Sequence, residues 1–454
     1  MSKIFGVPLS SMTEVSNKVQ EKLKELNITT AEELIAMAAV EGCKEKLAKY
    51  LGLGASAFAG HLEKVKKTLP GRVVAAMEEP YREEFGLGAI EPSKKMRLMA
   101  GSGPYEAAAI SPAALPSNVN YISRMPIIKS QGQRGTCVGF ACTALNEDYS
   151  TLYKGTTPDL SEQCLYQRCK ENDGQPNSAG TWVNVAMDCL VNSGEATESC
   201  QPYNPNLPHN QPGPHPSCCN TESPQWKIYQ KQQLNQNSVA DIKAAIADNK
   251  VVAFSIPVYH SWYDSAAVRR TGNITMPLPG EQHFAGHAML FVGYQDDAAT
   301  PGGGYFILRN SWGTTWGYQC TYGAGYGTLP YQYIADNGWE AFTYTRPVMV
   351  FIEAVARYDA FLYPNEGKQS GRINLYCKDS KLYLIFRHPS DTLPPNTYDA
   401  ASKIGVAYQS FSQFQHYLDL VRNEKPIWVT FRPEDRPPTF VVYCASELPG
   451  EGEI

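Results

Sequence analysis

The chain has 454 residues, more than one compact core supports, so two or three domains are expected. Its 43% hydrophobic and 19% charged residues exclude a disordered or fibrous protein. A net charge of -5 argues against nucleic acid or an anionic membrane as a partner, and no apolar run reaches the roughly 18 residues of a membrane-spanning helix. The first residues lack the apolar core and cleavage site of a secretory signal, so we expect a cytoplasmic or non-classically exported protein.

Residues 1–70 are predicted to form a small all-α domain. Two capping boxes, at Ser11–Glu14 and Thr30–Glu33, precede apolar residues at helical spacing, and glycine-containing turns separate the helices. Short helices joined by tight turns resemble a helix–hairpin–helix module, a fold often used on DNA. The ten lysines and eight glutamates of this segment are too balanced for a phosphate-binding face, which favours a domain that packs against or binds protein.

The remaining chain divides into three segments. Residues 71–118 are rich in Ala, Pro, Gly, Ser and Glu without periodicity, which predicts an extended linker. Residues 119–345 are predicted to be helical in their first half and to form short apolar strands in their second. Residues 346–454 are predicted to be a separate α+β unit. Its predicted elements are strands at 382–386, 427–431 and 440–443, a helix at 411–421, and an acidic, frayed end at 447–454.

One cysteine lies where a glycine-containing turn meets an apolar-periodic helix. A thiol attacks a carbonyl carbon usefully only as the thiolate, which a helix start and a neighbouring imidazole both favour, so Cys137 is the predicted nucleophile. His287, at the entrance of a buried strand, is the predicted base, and Asn310 would orient its ring. Gln131 can donate its side-chain N–H to an oxyanion, and Trp312 can cover the hydrogen bond between imidazole and amide.

These motifs resemble the papain family of cysteine peptidases. The family pattern of Gln-Gly-x-x-Gly-x-Cys, then Gly-His-Ala, then Asn-Ser-Trp-Gly is matched in order within residues 119–345. The resemblance assigns the roles of nucleophile, general acid/base, orienting amide, oxyanion donor and shield, in that order, to Cys137, His287, Asn310, Gln131 and Trp312. It implies an α+β catalytic domain of two lobes, one helical and one an antiparallel β-barrel-like lobe, between the two terminal domains. No cofactor and no metal ion are needed for this chemistry.

The chain departs from the family pattern close to the nucleophile. Val138 stands where the family has a tryptophan, and Arg134 where it has a cysteine. The partner of that family cysteine is missing too, because the matching region reads Asn177–Gly180. The resemblance places Cys169 at another family disulfide position, which allows a bond to one of three cysteines, Cys200, Cys218 or Cys219.

Three residues are predicted to contact substrate, a peptide or protein bound in extended form. Gly180 is the predicted backbone partner of the substrate strand. Ala285 and Gly286 leave the wall beside the histidine small, which suggests a roomy apolar side-chain pocket.

The segment Cys200–Cys219, which contains His209 and His215, allows four interpretations. A Pro- and Asn-rich surface loop is favoured. The others are a disulfide-tied loop, a zinc site of irregular spacing, and a loop over one end of the cleft as in cathepsin B. Two isolated signals are given little weight: the glycosylation sequon at Asn273 and the histidine His283, taken as an ordinary residue of the cleft rim.

The predicted function is a cysteine endopeptidase that acts through a thioester and is made as a zymogen. Residues 71–118 would then cover or approach the active site, with self-processing within 98–118. One alternative is an exopeptidase that resembles cathepsin B or bleomycin hydrolase. Another is a binding protein with an idle peptidase fold, whose N- or C-terminal domain recruits a protein partner. Neither nucleic acid nor a membrane is expected as a partner.

Overall fold

The computed structural model of the protein describes residues 6–79, 85–94, 96, 115–208, 215–346, 351–365, 368–399, 401–432 and 439–444. The chain divides into two units, residues 1–345 and 346–454. Buried apolar side chains of the first unit come from the N-terminal helices and from the region that carries the predicted triad, while those of the second come from its own sheet and helix.

Five short helices form the N-terminal part of the first unit. They are α1 (Asn17–Glu25), α2 (Ala31–Ala39), α3 (Cys43–Leu51), α4 (Ala55–Lys66) and α5 (Gly71–Glu78). Helix α2 begins with the predicted capping box, in which the Thr30 hydroxyl accepts from the backbone N–H of Glu33 and the Glu33 carboxylate accepts from that of Thr30. Helix α3 ends at Gly52, whose φ of 72° suits glycine.

Two predictions for this region were wrong. Ser11 does not cap a helix, because Leu9–Ser11 form a 3-10 turn and α1 begins only after Ser16. Residues 71–78 are helical instead of extended, since α5 buries Met77 in the core of the N-terminal helices. Burial on a neighbouring helix thus outweighs the weak periodicity of the sequence.

The helical lobe follows the sequence prediction closely. It contains α6 (Cys137–Lys154), α7 (Glu162–Asn172), α8 (Val183–Asn192) and the short α9 (Ser217–Glu222). Ser161 caps α7 by accepting from the backbone N–H of Cys164. Helix α6 is buried from Cys137 to Ser150, so its first residue is held firmly in the centre of the unit.

The second lobe is an antiparallel sheet. Its strands are β1 (Asn118–Asn120), β2 (Gln230–Gln233), β3 (Val252–Val258), β4 (Ala285–Asp296), β5 (Gly304–Arg309), β6 (Tyr326–Pro330) and β7 (Glu340–Thr345). They are ordered β2-β7-β3-β4-β5-β6, with β1 paired to β4. Its helices are α10 (Val239–Ala247), α11 (His260–Tyr263), α12 (Ala266–Thr271) and α13 (Tyr331–Asn337). The α+β, two-lobed fold class is confirmed.

The second unit closes a core between one sheet and one helix. Its strands are β8 (Phe351–Asn365), β9 (Lys368–Cys377), β10 (Lys381–Arg387), β11 (Thr397–Asp399), β12 (Ile404–Ser410), β13 (Ile427–Arg432) and β14 (Thr439–Cys444), ordered β11-β12-β10-β9-β8-β13-β14. Helix α14 (Phe414–Asn423) buries Phe414, Leu418 and Val421 against this sheet. The long hairpin β8–β9 was not predicted, because much of β8 is exposed and its residues do not alternate between apolar and polar. The predicted frayed end at 447–454 lies outside the described residues.

Candidate active site

The predicted triad residues come from three different elements. Cys137 is the first residue of α6, His287 is the third residue of β4, and Asn310 directly follows β5. Strands β4 and β5 are neighbours in the sheet, which explains how residues 23 positions apart come into contact. The loop before α6 is joined to the loop after β5, because the Gln131 N–H donates to the Ser311 carbonyl at 2.8 Å.

His287 is oriented by two neighbours. Its Nε2 atom donates to the Asn310 side-chain oxygen at 2.9 Å, and the same oxygen accepts from the backbone N–H of Ser311 at 2.8 Å. The indole of Trp312 stacks on the imidazole, with ring centroids 4.4 Å apart and planes at 20°. All three side chains are buried. The arrangement leaves Nδ1 of His287 without a hydrogen bond to the described residues, so this atom can accept a proton.

The Cys137 sulfur lies in a ring of backbone N–H groups. The N–H of Ala288 is 3.4 Å from the sulfur, and those of Val138, Gly88 and Ala89 also favour the thiolate. Complete burial outweighs them and raises the pKa of the Cys137 thiol to about 11. The thiol is therefore protonated at neutral pH in this structure.

His287 is also in its neutral form here. Burial lowers the pKa of the imidazole to about 4, although the hydrogen bond to Asn310 favours the charged form. Two neutral partners cannot act as a thiolate–imidazolium pair. The Cys137 thiol and the His287 imidazole are therefore both neutral in this structure, and the cause is the burial of both groups.

The water is excluded by a segment of this chain, Phe85–Ile90, here called the cleft segment. It enters beside Trp312, where the Phe85 ring stacks on the indole at 4.8 Å, with planes at 6°. It then passes over Cys137, and its Ala89 N–H donates to the Gly286 carbonyl at 3.2 Å. It leaves beside Thr181, with which Ala89 forms a parallel bridge.

The cleft segment also accepts a hydrogen bond from Gln131, the predicted oxyanion donor. Gln131 Nε2 donates to the Gly86 carbonyl at 3.0 Å and to the Arg134 carbonyl at 2.7 Å, while its Oε1 accepts from Ser311 Oγ at 2.6 Å. The groups that face the sulfur are N–H groups of Gly88 and Ala89. Since the carbonyl at Gln131 belongs to a different peptide unit, no single peptide bond of the segment meets both the sulfur and the oxyanion donor.

Close backbone contact explains two glycines in this region. A Cβ on Gly88 would overlap the Gly135 carbonyl, and a Cβ on Gly180 would overlap the Gly88 carbonyl. Gly180 also has a φ of 81°, which glycine tolerates. These residues let the cleft segment lie against the loop before Cys137 at backbone distance.

The predicted substrate contacts fall on the walls of the same cleft. Gly180 lies directly against the cleft segment, but Thr181 makes the paired hydrogen bonds, donating to the Gly88 carbonyl at 2.9 Å and accepting from the Ile90 N–H at 3.0 Å. Gly286 contributes its carbonyl to the opposite wall. Ala285, the first residue of β4, pairs with Val258 and is half-buried.

Arg134, one of the departures from the family pattern, is a buried structural residue. Its Nη1 atom donates to the Gln163 side chain and to the Asn204 carbonyl, each at 2.8 Å, and its guanidinium lies near the rings of Tyr166 and Tyr203. This role of Arg134 was not predicted. The arginine joins the loop before Cys137 to α7 and to the loop after α8.

The cysteine-rich loop is tied by a disulfide between Cys200 and Cys218. The expected bond from Cys169 is wrong, because Cys169 is a free, buried thiol beside Cys189 on the neighbouring helix. Its distance in sequence from Cys200 and Cys218 did not show that α7 turns Cys169 away from them. His209 lies outside the described residues.

The N-terminal helices contact the region that carries the predicted triad through polar groups that centre on the half-buried Asn273. Its side-chain N–H donates to Glu33 at 2.6 Å, and its oxygen accepts from Asn27 at 3.1 Å and Thr328 at 2.8 Å. Burial raises the pKa of the Glu33 carboxyl against these hydrogen bonds. A glycan at the sequon would displace this interface, so the asparagine has a docking role that its motif did not indicate.

His283 lies at the mouth of the cleft. Its Nε2 atom is 3.5 Å from a Glu91 carboxylate oxygen, and its ring meets the edge of Trp339. At 40% exposure it fits the predicted rim position. Across the described ranges, no helix combines the length and apolarity that crossing a bilayer requires.

Comparison with known proteins identifies the middle of the chain. Residues 115–329 match the model of the papain family of cysteine proteases. A stretch of 109 residues is 33% identical to an uncharacterized peptidase C1-like protein of Acanthamoeba polyphaga mimivirus, covering 24% of this chain and 32% of that protein. A stretch of 223 residues is 27% identical to a cysteine protease of Blomia tropicalis, covering 47% of this chain and 61% of that protein. The matched parts thus span less than two thirds of either relative.

Solved structures were also compared with the chain, and xylellain is one of those that match. Xylellain, a cysteine protease from Xylella fastidiosa, superposes with a TM-score of 0.48 at 22% sequence identity. The match covers 58% of this chain and 98% of that protein.

Proposed function

Because residues 115–329 of this chain belong to the papain family of cysteine proteases, we propose that the protein is a cysteine endopeptidase made in a latent form. One observation carries the proposal: His287, hydrogen-bonded to Asn310 under Trp312, precedes the residue whose N–H meets the Cys137 sulfur. A nucleophile, a base and an orienting group in contact are what a thiol peptidase requires.

In the proposed reaction the Cys137 sulfur attacks the scissile carbonyl carbon, and its proton passes to Nδ1 of His287. Gln131 Nε2 and the backbone N–H of Cys137 donate to the oxyanion. The imidazolium then protonates the leaving amine, and a thioester remains on Cys137. Water, deprotonated by His287, attacks the thioester and restores the thiol. The reaction needs no group outside the protein except water.

The cleft segment is the proposed cause of latency. It covers Cys137, uses the hydrogen bond that Gln131 would give to an oxyanion, and stacks Phe85 on the tryptophan beside the triad. Departure of the segment would expose Cys137 and His287 to water. Hydration lowers the free-energy cost of forming the thiolate and the imidazolium. The cleft segment is also protected from attack by the sulfur. It presents N–H groups to the sulfur, so its electrophilic carbonyl carbons lie away from the nucleophile.

The N-terminal helices are proposed to hold the cleft segment in place. Helix α5 ends at Glu78, seven residues before Phe85, so its docking limits how far the segment can move. The contacts of Asn273 with Asn27 and Glu33 fasten the preceding helices. Self-processing within 98–118 stays a prediction, and residues 97–114 lie outside the described residues.

A dipeptide-releasing exopeptidase is the second proposed function. The disulfide-tied loop approaches the end of the cleft where Phe85 lies, because Tyr203 donates to the Gln131 carbonyl at 2.9 Å. A loop at that end could limit the substrate beyond the scissile bond. A peptide blocked at both termini separates the two: internal cleavage supports the endopeptidase, and cleavage that requires a free terminus supports the exopeptidase.

Labelling with an epoxide inhibitor of thiol peptidases tests the proposed function. We expect no labelling of Cys137 in the intact chain and full labelling after proteolytic removal of the N-terminal helices and cleft segment. Cys137→Ala should abolish labelling, whereas Cys320→Ala, at a half-buried cysteine outside the site, should not change it. Absence of labelling in both forms would favour an idle binding protein. Equally fast labelling of both would refute latency but not peptidase chemistry.

A further inference from the structure

A second cluster of sulfur and imidazole groups lies in the helical lobe, away from the triad. The sulfurs of Cys164 and Cys219 and a ring nitrogen of His215 are all within 4.8 Å of one another. The sulfur of Cys200 is 3.7 Å from that of Cys219. Cys164 belongs to the first turn of α7 and Cys219 to α9, while Cys200 and His215 lie in the loop between α8 and α9, so the cluster joins two helices and that loop.

The spacing of these groups suits a tetrahedral zinc ion. Zn–S bonds of about 2.3 Å place two ligand sulfurs about 3.8 Å apart in a tetrahedral site. The separation of the Cys200 and Cys219 sulfurs is already close to this value, and the Cys164 sulfur and the His215 nitrogen lie within 4.8 Å of each other and of the Cys219 sulfur. Three thiolates and one imidazole form a donor set that zinc uses in structural sites.

The surroundings of the cluster resemble the supporting shell of a metal site. The His215 Nε2 atom is 3.4 Å from a Glu171 carboxylate oxygen, which directs the other ring nitrogen toward the thiols. The backbone N–H of Ala196 donates to the Cys164 sulfur at 3.3 Å. A carboxylate behind the histidine and an N–H on the sulfur are typical of groups that orient metal ligands.

The side chain of Gln201 contacts two of the possible ligands, Cys219 and His215. The Gln201 side-chain oxygen accepts from the Cys219 thiol at 3.0 Å and lies 3.2 Å from His215 Nδ1. It would have to turn away when Cys219 loses its proton, because a thiolate has no hydrogen to donate. On its other side the Gln201 side-chain amide donates to the Gln167 side-chain oxygen at 2.9 Å.

We propose that Cys164, Cys200, His215 and Cys219 bind a zinc ion when the Cys200–Cys218 disulfide is reduced. A dithiol reductant supplies two electrons and two protons to the Cys200 and Cys218 sulfurs and itself becomes a disulfide. Zinc then displaces the thiol protons of Cys164, Cys200 and Cys219, which go to solvent, and Cys218 keeps its own. The loop between α8 and α9 is thus fixed by a disulfide when oxidised and by a metal ion when reduced.

The disulfide or the metal ion acts on the loop beside the active site. Residues of the loop between α8 and α9 contact the loop before Cys137, since Tyr203 donates to the Gln131 carbonyl and the Asn204 carbonyl accepts from Arg134. Either one limits the motion of these contacts. This role is separate from the peptidase chemistry and does not depend on it.

Cobalt titration of the full chain tests the proposal. Cys137→Ala is used as the background, which removes the catalytic thiol as a ligand and prevents self-cleavage. In the presence of a dithiol we expect one Co²⁺ per chain, with thiolate-to-cobalt charge-transfer absorption and the visible bands of tetrahedral cobalt, both lost when Zn²⁺ is added. The oxidised protein should bind far more weakly. Glu171→Gln should weaken binding about tenfold, as loss of a ligand-orienting carboxylate does.

Two matched cysteine variants keep the proposal falsifiable. Cys218→Ser prevents the disulfide without removing a ligand, so it should bind cobalt tetrahedrally even without reductant. Cys219→Ser removes a ligand and should lose the charge-transfer bands, while circular dichroism checks that both variants are folded. The proposal is overturned if Cys218→Ser binds no better than Cys219→Ser. It is also overturned if the reduced protein gives only the weak bands of octahedral cobalt.

Discussion

The two segments that flank residues 115–329, the part that matches the papain-family model, are built in different ways. The N-terminal helices share a hydrophobic core with the catalytic region and place Asn27 and Glu33 against Asn273. The C-terminal unit instead forms its described core from its own sheet and α14. Shared burial couples the stability of the N-terminal helices to the site, whereas a unit with its own core can fold and act by itself. The N-terminal segment is therefore the expected regulator of the cleft.

The largest expected difference between the units is in their response to pH. Burial raises the pKa of Glu195 to about 8 and that of Glu340 to about 7, both in the first unit. A carboxyl whose pKa is raised by folding stabilises the folded state fully below its unfolded pKa of 4.5, and this contribution is lost as pH rises toward 8. For Glu195 the loss is on the order of 4 kcal/mol. Calorimetry from pH 5 to pH 8 should show the unfolding temperature of the first unit falling.

Substitution of Glu195 identifies the group responsible. Glu195→Gln keeps a polar side chain beside Thr143 and Asn146 but cannot ionise, so its unfolding temperature should fall less between pH 5 and pH 8. Glu41→Gln, at an exposed glutamate of the same unit, is the matched control. An unchanged pH response in Glu195→Gln would contradict the assignment.

Loosening the cleft segment should activate the intact chain. Gly88→Ala places a Cβ against the Gly135 carbonyl, and overpacking of this kind costs about 1–3 kcal/mol. That cost corresponds to an increase in basal peptidase activity of about 5- to 150-fold. The measurement is the initial rate on a fluorogenic peptide before any self-cleavage. Gly60→Ala, where a Cβ meets open space, should leave this rate unchanged, and equal rates for both variants would argue against the segment as the inhibitor.

Breaking the docking contacts of the N-terminal helices should have a smaller effect. Asn273→Ala removes hydrogen bonds to Glu33, Asn27 and Thr328 and leaves a buried carboxyl short of a donor, a loss of about 1–3 kcal/mol. Part of this free-energy loss weakens the docking that keeps the cleft segment over Cys137, so basal peptidase activity should rise by about three- to tenfold. The matched buried asparagine of the other unit is Asn374, which accepts from Arg372. Asn374→Ala should lower the stability of its own unit without changing basal activity.

Removal of the C-terminal unit should have the smallest effect. A chain that ends at Thr345 retains both lobes and the shared core, so after removal of the cleft segment its kcat/KM on a short peptide should stay within about twofold of the full chain. A tenfold loss in a folded, truncated protein would show that the C-terminal unit supports catalysis. A loss confined to protein substrates would instead support the predicted recruitment of a partner.

The features that could be predicted from the sequence are those that depend on residues close together in the chain. Cys137 follows a turn and begins an apolar helix, His287 opens a buried strand, and the Thr30 capping box starts α2. Each of these signals depends on residues a few positions apart. The weaker predictions depended on contacts between distant residues: α5 becomes helical by packing on α2, and Cys169 points to Cys189 because of how α7 and α8 meet.

By itself the sequence predicted a nucleophile and a base and gave the resemblance to the papain family, because the motifs are short and follow one another in order along the chain. Only the tertiary structure decided that Phe85–Ile90 fill the cleft. A run of small and apolar residues does not predict a binding position, because the contact of Gly88 with Gly180 joins residues far apart in sequence. The tertiary structure also selected Cys218 over Cys219 for the disulfide, although both lie at nearly the same distance from Cys200 in sequence. The physical reason is shared: burial and backbone contact between distant residues control these groups, and sequence spacing does not encode either.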